Sequence, residues 1–147
     1  MTRCATAPQG RTTLKVLLTG QRGFIGSRLR RELQRRGHEV APFRIDYRHA
    51  IEPALWAPSV AGVDVVVNAV GIFRERQSGD FDCVHARAPC ALFTAAAAAG
   101  VPFVVQVSAL GADEGATTEF HRSKRAGDEC LRALQRAAVV VQPSLVY

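Results

Sequence analysis

The sequence predicts an α/β domain with a doubly wound, mostly parallel sheet of about five strands and helices on both faces. Short apolar runs of strand length alternate five times with stretches of helical periodicity along the 147 residues. A glycine-rich turn joins the first run to the first helix. Because parallel strands need long crossover connections, this alternation favours helical crossovers and a sheet covered on both sides.

The first strand and the first helix have the clearest patterns. Residues 14–19 (LKVLLT) are apolar and bounded by Gly20, as expected of a strand buried on both faces. Residues 24–36 carry apolar side chains four positions apart, with arginines on the opposite side and Gly37 placed to end the helix.

The segment that follows has weaker patterns. Residues 39–44 (EVAPFR) predict an edge or near-edge strand, because Pro42 cannot donate to a strand ladder. Residues 45–62 allow only a short helix around 53–56 and contain no clear strand.

The remaining elements are better defined, and an alanine-rich helix is expected to kink at Pro89. In order they are a buried strand at 63–69, that helix at 81–99, a strand at 101–108, a helix at 118–136 begun by a Thr cap, and a short strand at 138–141. Residues 1–13 are polar and aperiodic, which predicts a flexible tail before one domain at 14–147.

Composition limits the classes of partner. The net charge is +6, but the arginines crowd one predicted helix without interleaved aromatic residues, so we expect a solvated helix face and no nucleic-acid binding. Apolar stretches are shorter than a membrane span, and residues 1–13 lack the apolar core of a secretory signal. These features predict a cytoplasmic protein without a membrane span.

Cysteine spacing predicts neither a zinc site nor a disulfide framework. The four cysteines lie far apart in the sequence and form no CxxC motif or paired histidine spacing. They are Cys4, Cys83, Cys90 and Cys130. We expect reduced thiols and no bound metal.

The glycine turn LLTGQRGFIG (residues 17–26) indicates an anion site. A strand, a glycine turn and a helix in succession aim backbone N–H groups at one point, where the helix dipole favours a phosphate. Gly20 permits the tight turn, Gly23 lets a pyrophosphate approach the backbone, and Gly26 lets the helix pack on the strand. We expect any side chain at Gly23 to clash. The alternative to an anion site is a turn with a purely structural role.

These blocks resemble those of the extended and atypical short-chain dehydrogenases/reductases, which are NAD(P)-binding proteins with a Rossmann-like fold. The turn is similar to the TGxxGFIG fingerprint of that family. DVVVNAVGI (64–72), VSALGA (107–112), FHRSKRAGDE (120–129) and VVVQPSLVY (139–147) look like its fourth strand, active-site turn, YxxxK helix and sixth strand, in that order. The likeness is nearest to atypical members related to the accessory nucleotide-binding subunit of respiratory complex I and to bacterial epimerase-like proteins.

The resemblance implies a dinucleotide cofactor. The turn would hold the pyrophosphate, the residues after the 64–72 strand would line the ribose and nicotinamide side, and Lys124 would hydrogen-bond the nicotinamide ribose. The implied cofactor residues are Gly20, Gln21, Arg22, Gly23, Phe24, Ile25, Gly26, Arg44, Asp46, Asn68, Ala69, Val70, Gly71 and Lys124. Two alternatives stay open. Asn68 could only cap the end of its strand, and Lys124 could be a solvated lysine on its helix.

The end of the second strand distinguishes NAD from NADP, because a carboxylate there binds the ribose hydroxyls and an arginine favours the additional phosphate. Arg44 holds about that place, and Arg22 adds charge from the glycine turn, so we expect NADP rather than NAD. Asp46 leaves an alternative open, as an acid facing the ribose or a residue near adenine.

The catalytic residues of the family are incomplete. Phe120 replaces the Tyr of YxxxK, whose phenol exchanges a proton with the substrate, although Lys124 is kept. A phenyl ring has no proton to give, and general acid catalysis contributes about 10²- to 10⁴-fold in rate. Ser108 is expected near the reacting end, but Ala109 follows where many members carry a second serine.

Other residues are poorly placed to replace the lost acid. Tyr147 is too far along the chain, and Tyr47 lies in the adenine-side region. His121 points about 100° away from Phe120 around the helix. For His85 and Cys83 the sequence favours helix packing over a catalytic role.

In the family, substrate is bound largely by segments after the sixth strand, so the sequence matches a C-terminally truncated nucleotide-binding half. Three functions stay open. The chain binds NAD(P) with impaired or absent Tyr–Lys catalysis, or it is an active oxidoreductase or epimerase in which water, Ser108 or another group donates the proton, or it is a cofactor-free interaction module. A homodimer or a partner chain would cover the truncated substrate face.

Overall fold

The computed structural model describes residues 13–43, 45–144 and 146–147. The strands are β1 (Lys15–Thr19), β2 (Glu39–Ala41), β3 (Val65–Asn68), β4 (Phe103–Val107) and β5 (Ala138–Val141). The helices are α1 (Phe24–Arg35), α2 (Pro53–Val60), α3 (Asp80–Asp82), α4 (Ala88–Ala98) and α5 (Glu119–Ala133), with a π-helical turn (Cys83–Arg87) between α3 and α4. Residues 1–12 of the predicted tail, Cys4 among them, and the cofactor candidate Arg44 lie outside the described residues.

The five strands form one parallel sheet in the order β2-β1-β3-β4-β5. The predicted fold class, a doubly wound, Rossmann-like α/β sheet, is confirmed. The chain leaves β1 toward β2 on one side and returns with β3 on the other. A crevice therefore opens at the carboxyl ends of β1 and β3, which is where folds of this kind bind ligands.

Alternation along the strands builds a core on each face of the sheet. Leu17 and Val66 pack with α2, α4 and α5 in the larger core. Val16 and Leu18 point to the other face, where Leu29 of α1 packs against them. Helices therefore lie on both faces as predicted, with α2, α4 and α5 on one side and α1 on the other.

Several boundaries differ from the prediction for local reasons. β2 ends at Ala41, three residues early, because Pro42 follows it. α2 continues one turn beyond residue 56, since both Trp56 and Val60 are fully buried. α5 stops at residue 133 instead of 136, because Gln135 adopts a left-handed φ of 49°.

A π-helical turn directly precedes α4, in which Pro89 occupies the first turn, at the place where the sequence predicts a kink. Proline has no N–H and its ring would collide with the carbonyl of His85, four residues earlier. The π-helical turn, which is wider than an α-helical one, contains His85. Gly127 of α5 packs against the same carbonyl so closely that a Cβ on this glycine would overlap the oxygen. The π-helical turn and α5 are therefore in close contact at Gly127.

The expectation of reduced cysteines is wrong for one pair. Cys90 of α4 and Cys130 of α5 form a disulfide, with their Cα atoms 5.7 Å apart. Their separation of 40 residues hid the pairing, since only the packing of the two helices brings them together. Cys83 is a free thiol.

Candidate functional site

An open cleft of about 840 Å³ lies at the carboxyl ends of β1 and β3. Its lining brings together six residues of the predicted cofactor set and four others. They are Gly20, Gln21, Arg22, Gly23, Asp46 and Val70, with Arg30, Phe43, Ile45 and Tyr47. The volume falls in the range of about 300 to 1,000 Å³ typical of small-molecule sites.

At two of the three glycine positions in the turn, a side chain would collide with the backbone. Gly20 has a φ of 72°, and a Cβ there would lie 2.7 Å from the carbonyl oxygen of Ala69. A Cβ on Gly26 would overlap the carbonyl oxygen of Gly20. A Cβ on Gly23 would lie 3.3 Å from that same oxygen, a tight contact that requires the backbone to shift by a few tenths of an ångström. The protein's own atoms therefore oppose a side chain at Gly23 less strongly than one at Gly20 or Gly26.

Backbone donors at the start of α1 face the cleft end of the turn. Gly23 is the N-cap residue and supplies no side-chain cap, while its own N–H donates to the Gly20 carbonyl at 2.9 Å. The N–H groups of the first helical turn have no partner within the helix. Gln21 Nε2 donates to the Ala41 carbonyl at 2.8 Å, which ties the turn to the end of β2. An anion at this point would meet fixed donors and the positive end of the helix dipole.

The carboxylate of Asp46 is exposed but engaged locally. It accepts from the Arg48 backbone N–H at 3.1 Å and lies 2.9 Å from Nδ1 of His49. The Arg48 bond and the His49 contact hold the pKa of Asp46 below its ordinary value, so it is ionised at neutral pH. Arg30 of α1 lines the same cleft, a position that the sequence analysis did not select.

A buried polar row crosses the sheet beneath the cleft. Thr19, Asn68 and Gln106 are in register on three neighbouring strands. Thr19 Oγ1 and the Tyr47 hydroxyl donate to Asn68 Oδ1 at 2.6 and 2.7 Å. Asn68 Nδ2 donates to Gln106 Oε1 at 2.7 Å. Asn68 is 1% exposed, and both its oxygen and its nitrogen are hydrogen-bonded to other side chains. Burial raises the pKa of Tyr47.

Lys124 is buried, so the alternative of a solvated helix lysine is wrong. It is 6% exposed, and its Nζ donates to the Val107 carbonyl at 3.2 Å. A Cβ added to Gly71 would lie 3.1 Å from Nζ, so the ammonium faces the chain just after Val70, which lines the cleft. Burial lowers the pKa of Lys124 to about 8, and the charge of Asp128 opposes that fall.

Phe120, which the resemblance in the sequence aligned with the tyrosine of YxxxK, is held in an aromatic cluster. Its ring stacks on Phe73 with centroids 5.7 Å apart and meets the rings of Phe81 and His85 edge-on at 6.0 and 5.4 Å. Phe73 is 88% exposed. The ring of His121 also meets the Phe120 ring edge-on, with centroids 5.1 Å apart.

Ser108 is turned into the protein. It is 5% exposed, and its Oγ donates to Asp128 Oδ2 at 2.5 Å. Its hydroxyl proton is therefore committed to a carboxylate of α5. Asp128 was missed in the sequence, although it lies four residues after Lys124 and so shares its helix face.

His85 does more than pack a helix. Its Nε2 accepts from the Ile72 N–H at 3.0 Å, and its Nδ1 lies 2.8 Å from Ser123 Oγ, which itself donates to the Phe120 carbonyl. Burial, with the nearby charge of Lys124, lowers the pKa of His85 to about 3, so the imidazole is neutral. It links the loop after β3 to α5.

A second, apolar groove of about 380 Å³ lies on the α1 face of the sheet. Ile25, a predicted cofactor residue, lines this groove, whereas Phe24 is half exposed beneath the guanidinium of Arg28.

Within the described ranges, no helix is long and apolar enough to cross a membrane. In the same ranges, no group of three or more His, Cys, Asp or Glu is placed to hold a metal ion.

Residues 16–147 match the model of the NAD dependent epimerase/dehydratase family. The chain belongs to that family. It is a short-chain dehydrogenase/reductase-type NAD(P)-binding fold, as the resemblance in the sequence indicated.

Two curated relatives illustrate the range of this similarity. Ceramide reductase of Caulobacter vibrioides (strain NA1000 / CB15N) is 31% identical over 90% of this chain and 46% of its own length. The mitochondrial NADH dehydrogenase [ubiquinone] 1 alpha subcomplex subunit 9 of Mus musculus is 26% identical over 87% of this chain and 39% of its own length. The chain thus spans less than half the length of these relatives.

Solved structures share the fold. A short-chain dehydrogenase/reductase superfamily protein from Agrobacterium tumefaciens with bound NAD aligns with a TM-score of 0.69 at 23% identity, over 87% of this chain and 48% of that one. The dTDP-4-dehydrorhamnose reductase of Bacillus anthracis in complex with NADP aligns with a TM-score of 0.75 at 18% identity, over 92% and 54%. These neighbours hold NAD in one case and NADP in the other.

Proposed function

We propose that this chain holds a nicotinamide dinucleotide in the cleft beside the glycine turn and lacks the Tyr–Lys proton transfer of its family. The observation that carries the proposal is the contrast between two places at the carboxyl edge of the sheet, the glycine turn after β1 and Phe120 at the start of α5. The turn at Gly20–Gly26 keeps an open, donor-rich cleft, whereas Phe120 puts a phenyl ring where the acid would be.

The cleft suits a dinucleotide because its donors come from the backbone. A pyrophosphate would lie against the start of α1, where Gly23 leaves room and no side chain caps the helix. The side chains of Arg22 and Arg30 would add positive charge at the cleft lining. When bound, the cofactor supplies the hydride chemistry, and the chain binds and orients it.

We favour NADP over NAD. Arg22 and Arg30 both line the cleft and would attract an additional phosphate, while the Asp46 carboxylate is already paired with His49 and the Arg48 N–H. An NAD site would need that carboxylate free to accept from the ribose hydroxyls.

Lys124 favours a second candidate function, an active reductase with a substitute acid. Its ammonium is buried beside Gly71, and its pKa of about 8 is closer to neutrality than that of an ordinary lysine. In this alternative Lys124 donates the proton that the family takes from tyrosine. The Ser108 hydroxyl is less suitable, because it donates to Asp128. The ceramide reductase relative makes a carbonyl substrate a reasonable first trial.

Fluorescence titration of the full chain with NADPH and NADH tests the binding proposal. We expect a dissociation constant below about 1 mM, equivalent to about −4 kcal/mol, and a lower value for NADPH. Gly23→Asp should abolish binding, because it places a carboxylate at the pyrophosphate position. The matched control is Gly115→Asp, an exposed glycine that, like Gly23, has no left-handed φ and where the nearest atom to an added Cβ is the exposed side-chain oxygen of Asp113.

Two outcomes of this titration would count against the proposal. Binding that survives Gly23→Asp would remove the glycine turn from the site. A wild-type chain that binds neither nucleotide would favour the cofactor-free interaction module, for which the apolar groove lined by Ile25, Leu29 and Val141 offers a surface. A homodimer or a partner chain on the substrate side belongs to the same set of hypotheses, and sedimentation at several concentrations distinguishes them.

A further inference from the structure

Two neighbouring residues at the carboxyl end of β4 are tied to one face of α5. The Val107 carbonyl accepts from Lys124 Nζ at 3.2 Å, and Ser108 Oγ donates to Asp128 Oδ2 at 2.5 Å. Lys124 and Asp128 lie four residues apart, so their side chains leave α5 on the same side. We call these four residues the α5 clamp. It fixes the strand end and the lysine relative to each other.

The clamp is buried, which constrains its charges. Asp128 is fully buried, and Ser108 and Lys124 are 5% and 6% exposed. A distance of 2.5 Å between the hydroxyl and carboxyl oxygens is typical of a hydroxyl donating to an ionised carboxylate. A buried carboxylate is tolerated only when it is paired or well hydrogen-bonded.

The groups around Asp128 decide how well its charge is tolerated. Burial raises the pKa of this carboxyl, and the hydrogen bond from Ser108, the nearby amides of Gln106 and Gln142 and the charge of Arg132 work against the rise. Among the described groups, none donates a hydrogen bond to the other carboxylate oxygen, Oδ1, so the Ser108 bond is the direct contact of this carboxylate. Ser108 and Gln106 come from β4 and its end, Gln142 follows β5, and Arg132 lies one turn further along α5. Each of them favours the ionised form.

The groups around Lys124 leave Asp128 as its counter-charge. From the π-helical turn it faces His85, which is neutral because its pKa is about 3. From the loop after β3 it faces the backbone of Gly71, and from β4 the Val107 carbonyl. Among the described groups, Asp128 is the one whose charge opposes the deprotonation of Lys124.

We propose that Asp128 is a positioning residue that keeps Lys124 cationic and aimed past Gly71 at the ribose side of the cleft. This inference rests on the proposed cofactor site and assigns to it a residue outside the YxxxK motif. Lys124 has three donor positions and uses one on Val107, so the others are available to a bound ribose. Without the Asp128 charge, burial alone sets the ionisation of Lys124, and the site loses its ammonium at a lower pH.

Asp128→Asn tests this inference, because the amide keeps the shape of the carboxylate and removes its charge. The titration of Lys124 in the full, ligand-free chain is followed by NMR of labelled lysine, and the NADPH dissociation constant is measured from pH 6 to pH 9. We expect the Lys124 midpoint to fall by about 1 to 3 pH units from its wild-type value. The loss of NADPH affinity at alkaline pH should move down by the same interval.

Glu129→Gln is the matched control, since Glu129 is the neighbouring acid and its exposed carboxylate pairs with Arg125 at 2.6 Å instead. We expect both profiles to match those of the wild type in this variant, and Asp128→Glu to restore the Lys124 midpoint at least in part. An Asp128→Asn variant with an unchanged Lys124 midpoint would overturn the inference. So would a Glu129→Gln variant that shifts the midpoint equally.

A measurement on the wild-type chain keeps the inference testable if Asp128→Asn does not fold. Carbon NMR of labelled aspartate reports whether Asp128 is ionised at pH 7, and a protonated carboxyl there would overturn the proposed role. Failure of the cofactor proposal looks different. The wild type would then bind no nucleotide at any pH, while the lysine titration would still report whether Asp128 controls Lys124.

Discussion

Two regions at the carboxyl edge of the sheet, the β1–α1 end and the α5 end, differ in the groups that they present. At the β1–α1 end, binding groups are backbone donors exposed by glycines, and an open cleft lies in front of them. At the α5 end, the polar side chains of Ser108 and Asp128 are satisfied by each other, and Phe120 is packed among aromatic rings. A backbone site survives most changes of side chain, whereas a proton donor is lost with one substitution. Under the proposed function, this difference is the reason that the domain keeps a binding site and lacks the chemistry of its family.

Phe120→Tyr should have the largest effect and tests the α5 end directly. Restoring a phenol four residues before Lys124 is expected to raise NADPH-dependent turnover of small ketones and aldehydes by about 10²- to 10⁴-fold over the wild type. Steady-state absorbance at saturating NADPH measures the change. Phe81→Tyr is the matched control, because it adds a hydroxyl to a ring in the same cluster. Equal gains in the two variants, or a wild type already as active, would contradict the idea of a missing acid.

Removing the Cys90–Cys130 disulfide should weaken the α5 end next most strongly. Its loop of about 40 residues corresponds to about 3 to 4 kcal/mol of stabilisation in the chain-entropy model. We expect the double Cys→Ser variant to lose about that free energy of unfolding in urea, and Cys83→Ser to lose little. In the double variant, hydrogen exchange should show a larger loss of protection, relative to the wild type, in α4 and α5 than at the β1–α1 turn. Free thiols at both positions in the oxidised wild-type protein would disprove the bridge.

Gly26→Ala and Gly23→Ala separate stability from binding at the β1–α1 end. A methyl on Gly26 would overlap the Gly20 carbonyl, so we expect a loss of about 3 kcal/mol in the free energy of unfolding. The same methyl on Gly23 meets that oxygen at 3.3 Å and should leave folding nearly intact while weakening NADPH binding. Urea unfolding and fluorescence titration of both variants measure the two effects. The reverse pattern would mean that the glycine roles are exchanged.

Between pH 7 and pH 5, the neutral state of His85 should give the smallest effect, a fall of about 2 kcal/mol in the free energy of unfolding. Its folded pKa of about 3 lies below the unfolded value of 6.5, so the unfolded chain takes up a proton that the folded chain refuses. Stability should be full above pH 6.5 and fall by about 1.4 kcal/mol per pH unit as the pH drops toward 3. Urea unfolding at pH 7, 6 and 5 should show this slope in the wild type and in the control His49→Gln, and a reduced slope in His85→Gln. Equal slopes in all three would show that His85 gains its proton while folded.

The fold could be predicted because its pattern is local. The local sequence is enough to predict some elements without the rest of the chain. Examples are the strand-length runs at 14–19 and 63–69 and the glycine turn between the first strand and the first helix. The boundaries that failed have two kinds of cause, tertiary packing at α2 and local backbone geometry at α5. Residues beyond 56 stay helical because Trp56 is buried, its ring Nε1 donating to the Ala50 carbonyl at 2.8 Å. α5 ends early because Gln135 leaves helical geometry.

The candidate site could be predicted only in part. Six of the chosen residues do line one cleft, among them Gly20, Asp46 and Val70. Ile25 lines a groove on the α1 face instead, and Ser108 faces Asp128. A usable signal was present for the buried row, since Thr19, Asn68 and Gln106 each interrupt or end an apolar strand run with a polar residue.

By itself the sequence determined the alternation of strands and helices, the place of the glycine turn, and the absence of a phenol at residue 120. These depend on residue type and spacing within a few positions. Only the tertiary structure decided that Cys90 meets Cys130, that Asp128 meets Ser108, and which side chains are buried enough for their pKa values to shift. Such facts depend on which surfaces of distant elements come into contact, because hydrogen bonding and desolvation act over a few ångströms of space and are independent of sequence separation.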